Sequence, residues 1–177
     1  VQVHLDATNR RVDVIGEGLD VAIRVRPPPL QDSDLVMRVL ADRGQCLVAS
    51  PALLSRYGIP QGPADLANFP SLDLGVPQNE HVWHLYGPDG AEATVYHLPR
   101  YITRGMLALR EAAVAGVGIV QLPTMVVTEQ VGKGELFHLV PQWGPRREIV
   151  HAVFASRRGL LPSVRLLIDY LPERFER

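Results

Sequence analysis

Glu80-His81-Val82-Trp83-His84 sets two imidazoles three positions apart. Imidazoles hold a metal only when they converge. In a strand, positions three apart face opposite sides, so the run reads as a polar strand edge. His4, His97, His138 and His151 are scattered and have no motif partner. Cys46, the only cysteine, lies in the apolar run Gln45-Cys46-Leu47-Val48-Ala49. A redox sensor needs an exposed thiol of low pKa, often with a resolving cysteine; a buried structural thiol suits this setting better. Arg24 and Arg26 stand towards the end of an apolar run. They could clamp a carboxylate or pair at the surface with Glu17 or Asp20. The best binding candidates are Thr103, Arg104, Gly105 and Met106, which open a helical pattern. The free N–H groups of a helix start suit an anion, although the same residues would also make an ordinary cap. Ser50 and Pro123, each at a predicted strand-to-helix corner, complete the candidate set.

Enzyme signatures are missing. No G-x-S-x-G, P-loop or H-E-x-x-H run occurs. Gly116-Val117-Gly118 lacks the third glycine of a dinucleotide fingerprint and has Gln121 in its place. No cofactor or metal is expected.

The elements that must position these residues follow from periodicity. Val1, Val3 and Leu5 alternate with polar residues, which predicts a half-buried strand. Asn9 to Ile15 predicts a short helix with Val12 and Ile15 inward, and Asp20 to Val25 a second strand; together they would make a βαβ unit. Pro27, Pro28 and Pro29 form a stiff connector. Leu35–Leu40 and Gln45–Ala49 read as strands, and Ser50-Pro51 as a helix start ended at Gly58. The proline-rich stretch from Pro60 to Pro70 marks a candidate lobe boundary. Leu72–Leu74, Val82–Tyr86 and Ala93–His97 read as strands, the last two joined as a hairpin by Gly87-Pro88-Asp89-Gly90. A strand at Pro99–Ile102 feeds the helix that opens at Thr103. Gly116 caps that helix and Ile119–Leu122 is the next strand, stopped by Pro123. A helix at Thr124–Val131, strands at Leu136–Val140 and Ile149–Ala155, and a final amphipathic helix through Val164, Leu167, Ile168 and Leu171 complete the pattern. Pro141 to Pro145 is a second crossing.

Length and charge narrow the class. The chain has 177 residues, enough for one domain or two small lobes. Its 18 basic and 19 acidic residues give a net charge of −1, without the basic excess of a stand-alone nucleic-acid binder. No apolar run reaches membrane-spanning length, so a soluble, cytoplasmic chain without membrane contact is expected.

Several segments carry a family resemblance. Ala112-Ala113-Val114-Ala115-Gly116-Val117-Gly118-Ile119 with Leu122-Pro123 resembles the "alaGlGia.lP" signature of LysR-type transcriptional regulators. Asn9 to Arg24 is similar to their "dR.vDlv.EGfDvaIR", and Asp32-Ser33-Asp34-Leu35-Val36 to "dssLv". Ala49-Ser50-Pro51-Ala52-Leu53-Leu54 resembles "ASPaYL", and Gly58-Ile59-Pro60 with Pro63-Ala64-Asp65-Leu66 resembles "G.P..P.DL". Gly134-Glu135-Leu136 with Val140-Pro141-Gln142-Trp143 is similar to "G.Lv.vlpdW". Where the family often has an Asn-Asp pair, this chain has Arg104-Gly105.

The resemblance implies an effector-binding domain: two Rossmann-like α/β lobes of the type-II periplasmic-binding-protein kind, joined by two crossover segments. The first lobe is expected at residues 1–70 plus 147–177, the second at 71–146. The family's first strand and helix, and its DNA-binding helix-turn-helix, are not in this chain, so the first lobe looks N-terminally truncated. The implied function is effector sensing and oligomerisation, with a small, anionic molecule bound between the lobes at Thr103, Arg104, Gly105, Met106, Arg24, Arg26, Ser50 and Pro123. A homodimer or homotetramer is implied, with DNA contacted only through the absent domain. A stand-alone solute-binding protein and a small enzyme in the same cleft are the alternatives.

Overall fold

A computed structural model of the chain describes residues 1–8, 10, 12–26, 35–77, 80–155 and 160–175. In chain order the strands and helices are β1 (Ala22–Arg26), β2 (Val36–Arg43), β3 (Gln45–Ala49), α1 (Pro51–Tyr57), β4 (Ser71–Leu74), β5 (Val82–Tyr86), β6 (Glu92–Tyr96) and β7 (Pro99–Thr103). Then come α2 (Met106–Val114), β8 (Val120–Pro123), α3 (Thr124–Gly132), β9 (Phe137–His138), β10 (Gly144–Pro145), β11 (Glu148–Phe154) and α4 (Pro162–Phe175). These elements fall into two units, Val1–Arg43 with Arg147–Arg177 and Gly44–Arg146. The boundary expected near residue 70 therefore lies after Arg43. The reason is β3, which pairs with β8 and β9 of the second unit. The proline-rich stretch is not a linker either; Pro63–Asn68 is a 3-10 turn with Leu66 fully buried.

In the first unit β11 runs antiparallel between β1 and β2. One face of this sheet is covered by α4, whose Val164 and Ile168 pack with Phe154. Leu167, expected inward, is 42 % exposed. The predicted βαβ unit does not form. Val1, Val3 and Leu5 are exposed and belong to no strand; alternation supplies a face but not a partner. Of the predicted helix at 9–15, residues 9 and 11 lie outside the described residues, and its end is a turn. The Glu17 N–H donates to the Asp13 carbonyl at 2.9 Å and the Leu19 N–H to the Val14 carbonyl at 2.9 Å. Val14 is buried, whereas Ile15 points out. The Pro27–Pro29 connector and residues 32–34 also lie outside the described residues.

In the second unit β4 and β7 are parallel. A parallel bridge between Ser71 and Ile119 joins them to β8, so the order is β7–β4–β8–β3–β9. β3 alone is clearly reversed against β8, with Gln45 opposite Pro123 and Val48 opposite Val120. One face of this layer packs on α2 and α3 through Val48, Leu72, Val120 and Leu122 against Leu109, Ala113 and Val127. The other face carries Leu47, Ala49 and Ile119, which pack against Trp83, Leu85 and Val95 of the β5–β6 hairpin. The turn that returns α2 to β8 depends on glycine twice. Gly116 has φ +75°, a left-handed conformation that side chains resist. At Gly118 a Cβ would stand 2.7 Å from the Pro70 carbonyl oxygen, so only a bare Cα lets β8 approach β4.

Candidate functional site

In the second unit β4, β7 and β8 run the same way, and the carboxyl ends of such strands are where α/β sheets hold ligands. Thr103 closes β7 there, and α2 begins at Met106 with Gly105 as its N-cap. No side chain caps α2. The Thr103 hydroxyl instead accepts from the Gly105 N–H at 3.2 Å. The N–H groups of the first turn of α2 thus keep no intrahelical acceptor, and the positive end of the helix dipole points out of the edge. Arg104 is exposed beside it. Met106 turns inward against the α2–α3 core.

Pro123 ends β8 on this same edge and precedes α3, which also lacks a side-chain cap. Thr124 bonds twice to the Gly44 carbonyl, through N–H at 3.0 Å and through its hydroxyl at 3.1 Å. Gln45 and Gln121 lie alongside, the Gln121 amide donating to the Gln45 oxygen at 2.5 Å. Nothing in the motifs had singled these two out; only the β3–β8 register brings them together.

Thr103, Arg104, Gly105, Met106 and Pro123 therefore share one edge, and Ser50 does not join them. Because β3 is antiparallel to β8, the helix that follows β3 starts at the opposite edge. Ser50 is buried there and caps α1, accepting from the Leu53 N–H at 3.3 Å. Its side chain also packs against Gly116. Arg24 and Arg26 belong to the first unit. Arg24 donates to the Val12 carbonyl at 2.9 Å and Arg26 to the Val25 carbonyl at 2.9 Å. Glu17, offered above as a partner for them, pairs with Arg10 instead, and that contact holds its carboxyl down at about 2.

The histidines divide differently from the sequence reading. His84 is exposed, with Thr94 at 3.3 Å. His81 is held by Asp73 at 2.5 Å. His97, without a motif partner in sequence, is buried, bonds to the Ser71 hydroxyl at 2.8 Å and stacks on Trp83 with ring centroids 3.8 Å apart. Burial pushes its pKa down to about 4. Ser71 and Asp73 are two apart on β4 and so share a face, which lets the two imidazoles clamp the hairpin to it. Cys46 is partly buried, its thiol against the Leu122 carbonyl at 3.7 Å, and burial raises its pKa. Among the described residues no group of three His, Cys, Asp or Glu could hold a metal ion, and no helix is long and apolar enough to cross a membrane.

A domain profile, the LysR substrate binding domain, matches residues 1–176. The chain belongs to the LysR substrate-binding-domain family. This LysR domain is 34 % identical over 164 residues to the HTH-type transcriptional activator AaeR of Escherichia coli strain K12, covering 92 % of the present chain and 52 % of that protein. It is 29 % identical over 177 residues to the HTH-type transcriptional regulator PtxR of Pseudomonas aeruginosa, covering 100 % of the chain and 56 % of PtxR. The chain thus spans about half the length of the curated relatives it matches. Among solved structures it resembles CrgA, a LysR-type transcriptional regulator from Neisseria meningitidis, with TM-score 0.79 and 27 % identity over 93 % of this chain and 55 % of CrgA. The full-length virulence activator AphB of Vibrio cholerae shares the fold, with TM-score 0.85 and 24 % identity over 99 % of this chain and 58 % of AphB. The α/β fold of the LysR domain is thus that of LysR regulatory domains, whose periplasmic-binding-protein-like type the family resemblance had implied.

Proposed function

We propose that this LysR domain is the effector-sensing and oligomerisation part of a transcriptional regulator. Its ligand is a small anion, most simply a carboxylate, bound at the carboxyl edge of β4, β7 and β8. The observation that carries this reading is the pair of helix starts without side-chain caps, at Gly105 and Pro123, on one strand edge. Backbone N–H groups at such a start form charge-assisted hydrogen bonds to a carboxylate, and the Arg104 guanidinium adds a full positive charge. Ligand binding that differs between two arrangements of the regulator shifts their populations. A homodimer or homotetramer reports that shift to DNA through a helix-turn-helix outside this chain, as the names of the relatives support.

A thermal-shift screen of small carboxylates and their neutral amides tests the site. A ligand at a hundredfold excess over its Kd stabilises by about 2.7 kcal/mol. Arg104→Ala should lose most of that shift, while Lys133→Ala, at the far end of α3 in an ion pair with Glu129, should keep it. Equal stabilisation by the amides, or an unchanged response in Arg104→Ala, overturns the anion reading.

A further inference from the structure

The second unit holds a cavity that the carboxyl-edge site does not use. It opens where β4 and β7 begin, has a volume of about 650 Å³ and is lined by residues of the second unit alone. That volume is in the range of small-molecule sites. Its walls are aromatic: Phe69 is 8 % exposed and leans on Tyr57 at 5.8 Å between centroids, and Tyr96 stands at the rim. One wall is also rigid. The His97 ring, which lines the cavity, is fixed by its Ser71 bond and its Trp83 stack, so little ordering is needed on binding.

The polar groups are less ordinary. Glu80 and Arg100 both line this cavity and are exposed. Neither side chain makes a hydrogen bond or ion pair among the described residues, and the two side chains are not paired with each other. A carboxylate and a guanidinium that line one cavity without pairing suit a ligand charged at both ends. A ligand with one charge would pair with one group and leave the other to water, gaining a single exposed ion pair. A ligand carrying both charges satisfies both, and its apolar part gains the aromatic walls.

We propose that this cavity binds a small zwitterion with an aromatic or bulky apolar group, of the amino-acid type: its carboxylate meets Arg100, its ammonium meets Glu80 and its ring lies among Tyr57, Phe69 and Tyr96. This is a second site, independent of the carboxyl edge.

Calorimetric titration of residues 1–177 with L-phenylalanine tests it, with phenethylamine and 3-phenylpropanoate as analogues lacking one charge each. Saturable binding of phenylalanine is expected, with each analogue weaker by up to about fivefold, the worth of one exposed ion pair. Arg100→Gln should bind phenylalanine and phenethylamine alike, and Glu80→Gln should do the same for phenylalanine and 3-phenylpropanoate. Tyr96→Ala should weaken all three ligands. Both charged residues are exposed, so circular dichroism should show these variants folded. Arg104→Ala should leave the titration unchanged, which separates this site from the carboxyl edge. Absence of saturation at millimolar phenylalanine, equal affinity for the single-charge analogues, or indifference to Arg100→Gln and Glu80→Gln overturns the proposal.

Discussion

An imidazole stacked on an indole and bonded through Nδ1 to a serine has little room for a second proton. His97 is in that position, with a pKa lowered by burial to about 4 from 6.5. Asp73 nearby pulls the other way and His81 pushes with burial. The sign of the effect on stability follows. Above pH 6.5 the ring is neutral in both folded and unfolded chains, and its contribution is whole. Between pH 6.5 and about 4 only the unfolded chain takes up the proton, so stability falls as pH falls, by about 3 kcal/mol in all. Below that the loss levels off. In scanning calorimetry His97→Phe should flatten the fall of Tm across this window; an unchanged slope would refute the assignment. Sequence alone could not single out His97. It has no spacing motif, and its partners Ser71, Asp73 and Trp83 meet only when the hairpin lies on β4.

Among the elements, the turn from α2 to β8 was the most legible part of the chain. Gly116 needs a left-handed backbone, a need local enough to be written in sequence, whereas the close approach at Gly118 is to Pro70, which only the fold brings near. They also rank two substitutions. Ser50→Ala removes the cap of α1 and should cost about 1 kcal/mol. Gly118→Ala drives a Cβ into the Pro70 carbonyl and should cost more, about 1–3 kcal/mol, because backbone cannot swing aside as a side chain can. Urea denaturation of the two variants checks the order, and a milder Gly118→Ala would contradict the packing. The direction of β3 was not legible. Its apolar run Cys46-Leu47-Val48-Ala49 suits a parallel or an antiparallel neighbour equally well, and that choice sends Ser50 to the edge away from Thr103 and Pro123. The alternation of Val1, Val3 and Leu5 misled for a related reason. Period two says which side chains share a face, but a strand needs hydrogen-bond partners that lie elsewhere in the chain.

For the whole chain, charge is the plainest guide. With 18 basic and 19 acidic residues it offers no surplus of cations to displace counterions from phosphates, and that displacement dominates affinity for duplex DNA. Residues 1–177 alone should therefore give no sequence-specific shift of duplex DNA at physiological salt in a gel-mobility assay. A salt-resistant specific complex would place DNA recognition within residues 1–177. Prolines pointed to a first crossing at Pro60–Pro70 and a second at Pro141–Pro145, but the first unit breaks at Arg43, since pairing partners decide a boundary and composition only hints at one.

The division of the chain also sets an order of events during synthesis. The second unit is one continuous stretch, Gly44–Arg146, and its β3–β8 pairing spans 76 residues between Gln45 and Gln121. It can close while the remainder is still on the ribosome. The first unit cannot, because β11 is the middle strand of its sheet and, among the described residues, β1 and β2 pair only with it. Those two strands leave the ribosome early and wait, with open edges and an apolar face, until β11 arrives. Non-local pairing of this kind is slow and exposed to aggregation, so the unit whose first strands are made earliest is the one completed last.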